Sequence, residues 1–534
     1  MSAFAAETLL FEPATPVADA IPVIFSFPNT YTIGISSLGY QIIWAMLAQR
    51  ADVAVARLFT DTHEPLPRHP ELVGFSMSWE LDYINILALL SQLQIPARAG
   101  DRQTNDPLIF GGGTVLTANP EPFAAFFDVI LLGDGEELLD NFLDAYQAVR
   151  HADRAAQLRA LAQVPGVYVP SLYAVSYEGD AGAIAQIEPI DADIPATVAK
   201  QTYRGNTLST STVVTPAAAW ENIYMVEVVR SCPEMCRFCL ASYLTLPFRS
   251  ASMTGSLLPA IARGLEVTNR LGLLGASVTQ HPEFDDLLDY LAKPKFDDLR
   301  VSLASVRTNT VTEKLARLLT ARETHSITIA VESGSERLRQ IVNKKLTNDE
   351  IIQAAINAKA GGLKAIKFYG MVGVPGEAPA DVEQTVAMLQ AVKKAAPGLR
   401  LTLGCSTFVP KSHTPFQWFG VQPVAKQRLQ SLQKQLRSQG IDFRPESYNW
   451  SVIQALISRG DRRLTPLLEL TRDFGDSLGS YKRAFKALRG QLPPLDFYVH
   501  QDWPTAQVLP WQHLQGPLPV PTLQKHLAEA QSHF

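Results

Sequence analysis

The sequence is poor in cysteine, with four among 534 residues. That is too few for the disulfide framework of a small secreted scaffold. Long apolar runs are also absent, and nothing approaches the roughly 20 consecutive apolar residues that a membrane-spanning helix needs. Neither sign of charge is in large excess, since the formal net charge is −5 and charged residues make up 19% of the chain. This balance gives no global attraction to nucleic acid and leaves that role to local basic patches. Met1 to Ala20 carry acids and prolines without a basic stretch ahead of an apolar one, so they read as a short tail and not as a targeting segment. The chain is too long for one ordinary core, and roughly two to four domains are expected.

What cysteine there is lies together. Cys232-Pro-Glu-Met-Cys236-Arg-Phe-Cys239 follows Ile223–Val229, an apolar, β-branched run that predicts a buried strand. Three thiolates on such a loop can hold three irons of a [4Fe–4S] cluster and leave the fourth iron open, whereas an electron-transfer cluster normally has four cysteines. An open iron can chelate the amino and carboxylate groups of S-adenosylmethionine (SAM). A structural zinc would need a fourth ligand close by, but there is no second Cys pair and the next His is His281. With Phe238 before the last cysteine, the pattern resembles the radical SAM superfamily. The resemblance implies that the reduced cluster breaks SAM into methionine and a 5′-deoxyadenosyl radical, which takes hydrogen from an unactivated C–H bond of an unknown substrate. It further implies an electron donor such as a flavodoxin or ferredoxin. An oxygen-sensitive cluster and reduced thiols point to the cytoplasm.

Downstream of the cysteines, strand-like runs near Leu274–Thr279, Leu299–Ser305, Ile327–Val331, Ala365–Met371 and Leu401–Phe408 alternate with amphipathic helical stretches. Parallel strands need crossover helices, and six such units resemble the partial (β/α)6 barrel of the superfamily, with reactive groups at the C-terminal strand ends. The resemblance assigns the SAM contacts to Phe238, to Thr279 or Gln280 in place of an absent Gly-Gly-Glu, to Ser305 and Arg307, to Glu332 and Ser333, and to the Gly373/Pro375 turn. The sixth strand runs into Phe408-Val-Pro-Lys411-Ser-His413-Thr-Pro-Phe-Gln-Trp418, where two prolines fix an extended loop. That loop, with Leu509-Pro-Trp511 near the end, resembles an uncharacterised radical SAM subfamily carrying a B12-binding-like domain. It is expected to hold Lys411 and His413 over the barrel mouth as substrate-pocket residues. A lone strand cysteine is more often a small buried hydrophobe, and Cys405 is read so.

Residues 21–150 alternate strand and helix as an open α/β sheet, whose ligands bind beyond the C-terminal strand ends. Ser76-Met-Ser78 and Gly111-Gly112-Gly113 resemble the punctuation of B12-binding domains. The third signature, DxHxxG, reads Asn29-Thr-Tyr31-Thr-Ile-Gly34. Asn29, Tyr31, Gly34, Ser76, Gly111 and Gly112 thus outline a degenerate cobalamin site. A phenol with pKa near 10 is a poor cobalt ligand beside neutral imidazole, so either cobalamin binds without a lower protein ligand or the domain has lost it.

The expected layout is a tail (1–20), a flavodoxin-like α/β domain (21–150), a β-rich connector (151–217) with a bendable polar run at Thr207–Thr215, a partial barrel (218–422) and a mostly helical C-terminal domain (423–534). Two basic clusters in that last part, Arg459/Arg462/Arg463 and Lys482/Arg483/Lys486/Arg489, suit a solvated helix face or RNA. Two functional classes follow. One is a radical SAM enzyme, performing either cobalamin-linked methylation or a cobalamin-free modification; the other is a non-catalytic iron–sulfur redox sensor or RNA-metabolism-associated protein. Methylthiolation is disfavoured, because a second cluster would take three more cysteines than the chain has.

Overall fold

The computed structural model describes residues 3–179 and 182–534. Met1, Ser2, Asp180 and Ala181, which fall in the expected tail and connector, lie outside the described residues. The apolar runs of the first 150 residues form β1 (Ile21–Ser26), β2 (Val53–Leu58), β3 (Leu72–Ser76), β4 (Leu108–Gly112) and β5 (Val129–Leu131), and β6 (Val167–Tyr168) follows. They hydrogen-bond in the order 2-1-3-4-5-6, parallel except for β6. This doubly wound order places its strand ends at a switch point. Residues of alternating parity on these strands are buried alike, as expected of a sheet covered on both faces.

The middle of the chain forms a second parallel system. Strands β7 (Tyr224–Glu227), β8 (Arg270–Leu274) and β9 (Arg300–Leu303) make one sheet, and β10 (Ser326–Glu332), β11 (Ala365–Val372), β12 (Arg400–Thr407) and β13 (Asp442–Pro445) another. A parallel bridge between Val306 and Ile329 joins them into one open barrel wall. Here burial alternates. Ile327, Ile329, Ile366, Phe368, Leu401 and Leu403 pack outward against helices such as α1 (Pro379–Ala395) and α2 (Ala425–Ser438). The alternate residues face the hollow of the barrel, where an added Cβ on Gly404 would touch Lys367 and Tyr369. Tyr369 keeps 41% of its surface exposed there.

Five features depart from the expected layout, the first being that the N-terminal sheet passes residue 150, since helix Arg154–Leu161 and β6 lie in the expected connector. The N-terminal segment is no loose tail. Thr8–Leu9 pairs with Val213–Val214, and Glu7 forms an ion pair with Arg57 in which both side chains are 3% exposed. Thr207–Thr215 is held as well, since Thr210 bridges Val226 and Ser211 bonds Met225. The barrel passes residue 422, because α2 crosses over to the seventh strand, β13. The C-terminal helices also share one hydrophobic core with the N-terminal sheet. There Tyr83 and Tyr481 hydroxyls meet at 2.9 Å, and Asn119 donates to the carbonyls of Ser458 and Gly460.

Candidate active site

The cysteine loop leaves β7 through a short hairpin, Val229–Arg230 against Arg249–Ser250. Two non-glycine residues in it, Ser231 and Met235, take positive φ, a conformation that persists only where the surroundings over-determine it. They do so here. Asn343 donates to the carbonyls of Glu234 and Met235, the Arg237 amide donates to Val342, and its guanidinium donates to Gln340 and Ile341. Glu234 is held twice, by Arg307 at 2.9 Å and by Gln280 at 2.5 Å, which ties the loop to the ends of β8 and β9.

All three thiols are free and close enough to perturb one another. Burial pushes the Cys236 thiol up to about 12 and raises Cys239 too. Such thiols ionise on binding a metal, which releases their protons. Lys344 lies beside them, paired with Glu332 at 3.1 Å, and its charge opposes the rise at Cys236. Among the described residues no three His, Cys, Asp or Glu side chains converge on a single-ion site. The donor set of three thiols with a flanking cation instead fits an anionic cluster with three cysteine ligands.

The other expected SAM residues divide by environment. Thr279 is buried and accepts from the Thr310 hydroxyl at 2.7 Å. Arg307 is spent on Glu234 and the Lys345 carbonyl. Glu332 ends β10 with φ of 63°, beside a register shift in the pairing with β11. The Ser333 hydroxyl accepts from the Ser335 amide in a helix start, and Phe238 leans on the core shared with the C-terminal helices. Gly373 has φ of 75° and its amide donates to Glu377, whose carboxyl burial raises to about 7 against the pull of Arg428. Pro375 is buried in the same turn, and Ser305 follows β9 half-buried. His281 is a turn residue: its Nε2 donates to the Ala251 carbonyl and its Nδ1 accepts the Glu283 amide. Cys405 points outward with Leu401 and Leu403, away from the hollow.

Lys411 is tied to the N-terminal region and His413 to the C-terminal one. Lys411 pairs with Glu80 of the N-terminal region and donates to Ser458 at 3.1 Å. Burial alone would raise the Glu80 carboxyl, but Lys411 brings it below the usual range. The His413 amide and the Trp511 indole both donate to Gln417 Oε1 at 2.8 Å, so the two sequence signatures clasp each other. Burial holds the His413 ring down to about 4. Of these contacts only the one between Lys411 and Glu80 spans more than 300 residues.

Beyond the N-terminal strand ends lies a cavity of about 320 Å³. Ser76, Ser78, Gly112 and Gly113 form one side, apolar Ile43 and Phe75 the floor, and Arg230, two residues before Cys232, the far wall. Gly113 has φ of 112°, and a Cβ there would meet the Met77 carbonyl at 2.5 Å. Arg230 pairs with Glu136 at 2.6 Å and Glu227 at 2.7 Å, and Arg249 with Asp134 at 2.6 Å, so the cavity is bolted to the cysteine loop. Tyr31 takes no part. It is buried, its phenol donates to Glu7 at 2.6 Å, and burial followed by that bond raises its pKa far above normal. Among the described residues no histidine lines the cavity.

Residues 226–389 match the model of the radical SAM superfamily, and residues 60–170 match that of the N-terminal region of radical SAM proteins. Together they cover more than half of the chain. An uncharacterised protein of Methanocaldococcus jannaschii, MJ0966, is 26% identical over 469 residues, 86% of this chain and 94% of that one. Among solved structures, the methyltransferase TsrM of Kitasatospora setae is 14% identical over 75% of this chain and 74% of its own, with a TM-score of 0.49. The cobalamin-dependent enzyme OxsB is 13% identical over 88% and 68%, also at 0.49. With the cysteine loop at the mouth of an open parallel barrel and both family models matched in order, the chain belongs to the radical SAM superfamily and is a radical SAM enzyme that uses a [4Fe–4S] cluster and SAM.

Proposed function

We propose that Cys232, Cys236 and Cys239 hold the cluster, that the substrate enters the polar hollow of the barrel, and that the N-terminal cavity takes the nucleotide tail of a corrin for methyl transfer to an unreactive carbon. A cluster so held supplies the electron that breaks a sulfonium C–S bond of SAM, and a corrin supplies a carrier for the methyl group. The chain's own residues bind and shield. Asn343, Arg237 and Glu234 fix the loop, Lys344 offsets the cluster's negative charge, and Thr279 and Glu332 present polar atoms toward SAM. The electron comes from a flavodoxin- or ferredoxin-class donor in a reducing compartment, the cytoplasm.

The observation that carries the corrin reading is the cavity, which joins the glycine-rich strand ends to Arg230. Its apolar floor and close-passing backbone suit a nucleotide tail. With Tyr31 turned into the protein and bonded to Glu7, that side chain would offer no lower ligand to a corrin held here. Reconstitution with hydroxocobalamin followed by desalting tests this directly. Retained corrin whose Co(II) EPR spectrum lacks nitrogen superhyperfine splitting is expected. Loss of the corrin, or a nitrogen-ligated cobalt, contradicts the proposal.

A further inference from the structure

A large apolar cavity belongs to neither the cluster nor the N-terminal sheet. It measures about 660 Å³ and lies between α3 (Tyr448–Arg459), which follows β13, and α4 (Leu478–Ala487). Val452 and Ile453 make one wall, Tyr481 and Phe485 the other, and Leu492-Pro493-Pro494-Leu495 closes the end. Two consecutive prolines make that end wall rigid before any ligand arrives. The volume falls in the range of about 300–1,000 Å³ common for small-molecule sites.

Its rim has one sign of charge. Lys482, Lys486 and Arg489 line it and no Asp or Glu does. Lys482 and Lys486 sit one turn apart on α4, beside the apolar stripe Leu478, Tyr481, Phe485. All three cations are exposed, and among the described residues none has an ion pair or side-chain hydrogen bond. The other cluster is different: Arg459 is buried against backbone carbonyls, Arg462 pairs with Glu121 and Arg463 with Asp461. In a chain with 52 acids and 47 bases, three free cations around an apolar hollow form a site of defined polarity.

We infer that this cavity binds an amphiphilic anion, its apolar body between α3 and α4 and its carboxylate or phosphate head on Lys482, Lys486 and Arg489. A polyanion such as RNA would use the same cations but would leave the apolar walls bare, so the cavity favours the amphiphile. Binding is independent of the radical chemistry.

Calorimetric titration of the full chain tests the assignment with decanoate, decyl phosphate, decan-1-ol and decylammonium, all below micellar concentrations, and with a short oligouridine. One-to-one binding of the anions is expected, with the alcohol and the ammonium ion at least about tenfold weaker. A preference for decanoate or for decyl phosphate identifies the head group. K482E/K486E, on an exposed stripe, should weaken both anions about tenfold without moving the melting temperature. Val452→Phe should fill the cavity and abolish binding while the melt stays cooperative. Equal binding of anion and alcohol, anion binding untouched by K482E/K486E, or binding of oligouridine alone would overturn the inference.

Discussion

The N-terminal sheet and the barrel wall are assembled from the same unit, a parallel strand followed by a helix, yet they bury different faces. In the first, both faces are covered, and ion pairs that would otherwise face water are sealed inside. Arg102 and Asp128, with side chains 0% and 2% exposed, are an example. In the second, only the outer face is covered, and Lys367, Tyr369 and Thr402 look into an open hollow. Burial on both faces makes the N-terminal sheet a frame that holds a cavity against the cysteine loop. One-sided burial leaves the barrel a polar surface free to meet substrate.

The difference can be attacked at both places. Arg102→Met leaves Asp128 with a buried charge that Arg154 alone must answer, and should cost about 3–5 kcal/mol in denaturant unfolding. A cost near zero would mean the sheet is not sealed as described. Glu234→Gln acts at the junction by loosening the tie between the cysteine loop and Arg307. Iron retention after desalting should fall about 10–100-fold, as for other outer-shell contacts of metal sites. Unchanged retention would show that the backbone holds the loop unaided. Tyr369→Ala, in the hollow, should change stability by less than about 0.5 kcal/mol and leave SAM cleavage intact. A large loss of stability would place that ring in a core.

A separate effect concerns pH. Burial holds the His513 and His413 rings down to about 4, whereas an unfolded His titrates near 6.5. Between these values the unfolded state binds more protons, so stability is full above about 6.5 and falls as the pH drops toward 4. His513→Phe should flatten that slope in melting temperature against pH. An unaltered slope would show that this ring does not stay neutral.

Much of this was legible because strand burial writes itself into sequence as apolar β-branched runs. β1–β5, β7 and β9–β12 announced themselves this way, and cysteine spacing marked the cluster loop; β8 was misplaced, since the strand is Arg270–Leu274 and the expected run Leu274–Thr279 is mostly the turn and short helix that follow it. β13 did not, because Asp442-Phe-Arg-Pro445 is a short edge strand with one apolar side chain. The roles of Lys411, Glu7 and Glu234 were hidden for another reason. Their partners Glu80, Arg57 and Arg307 are distant in sequence, and charge carries no periodicity from which a partner could be read. Resemblance to a motif placed Lys411 and His413 in a substrate pocket; the contacts of Lys411 place it in the seam between the N-terminal sheet and the C-terminal helices, and His413 lines a cavity with Trp511.

The most direct test of the central claim is anaerobic. The protein is reconstituted with iron and sulfide, reduced with dithionite and given SAM, and 5′-deoxyadenosine is measured beside Cys236→Ala. Deoxyadenosine is expected from the native chain and none from the variant. A reduced four-iron cluster that leaves SAM intact, or a variant that cleaves it as well as the native protein, would contradict the claim.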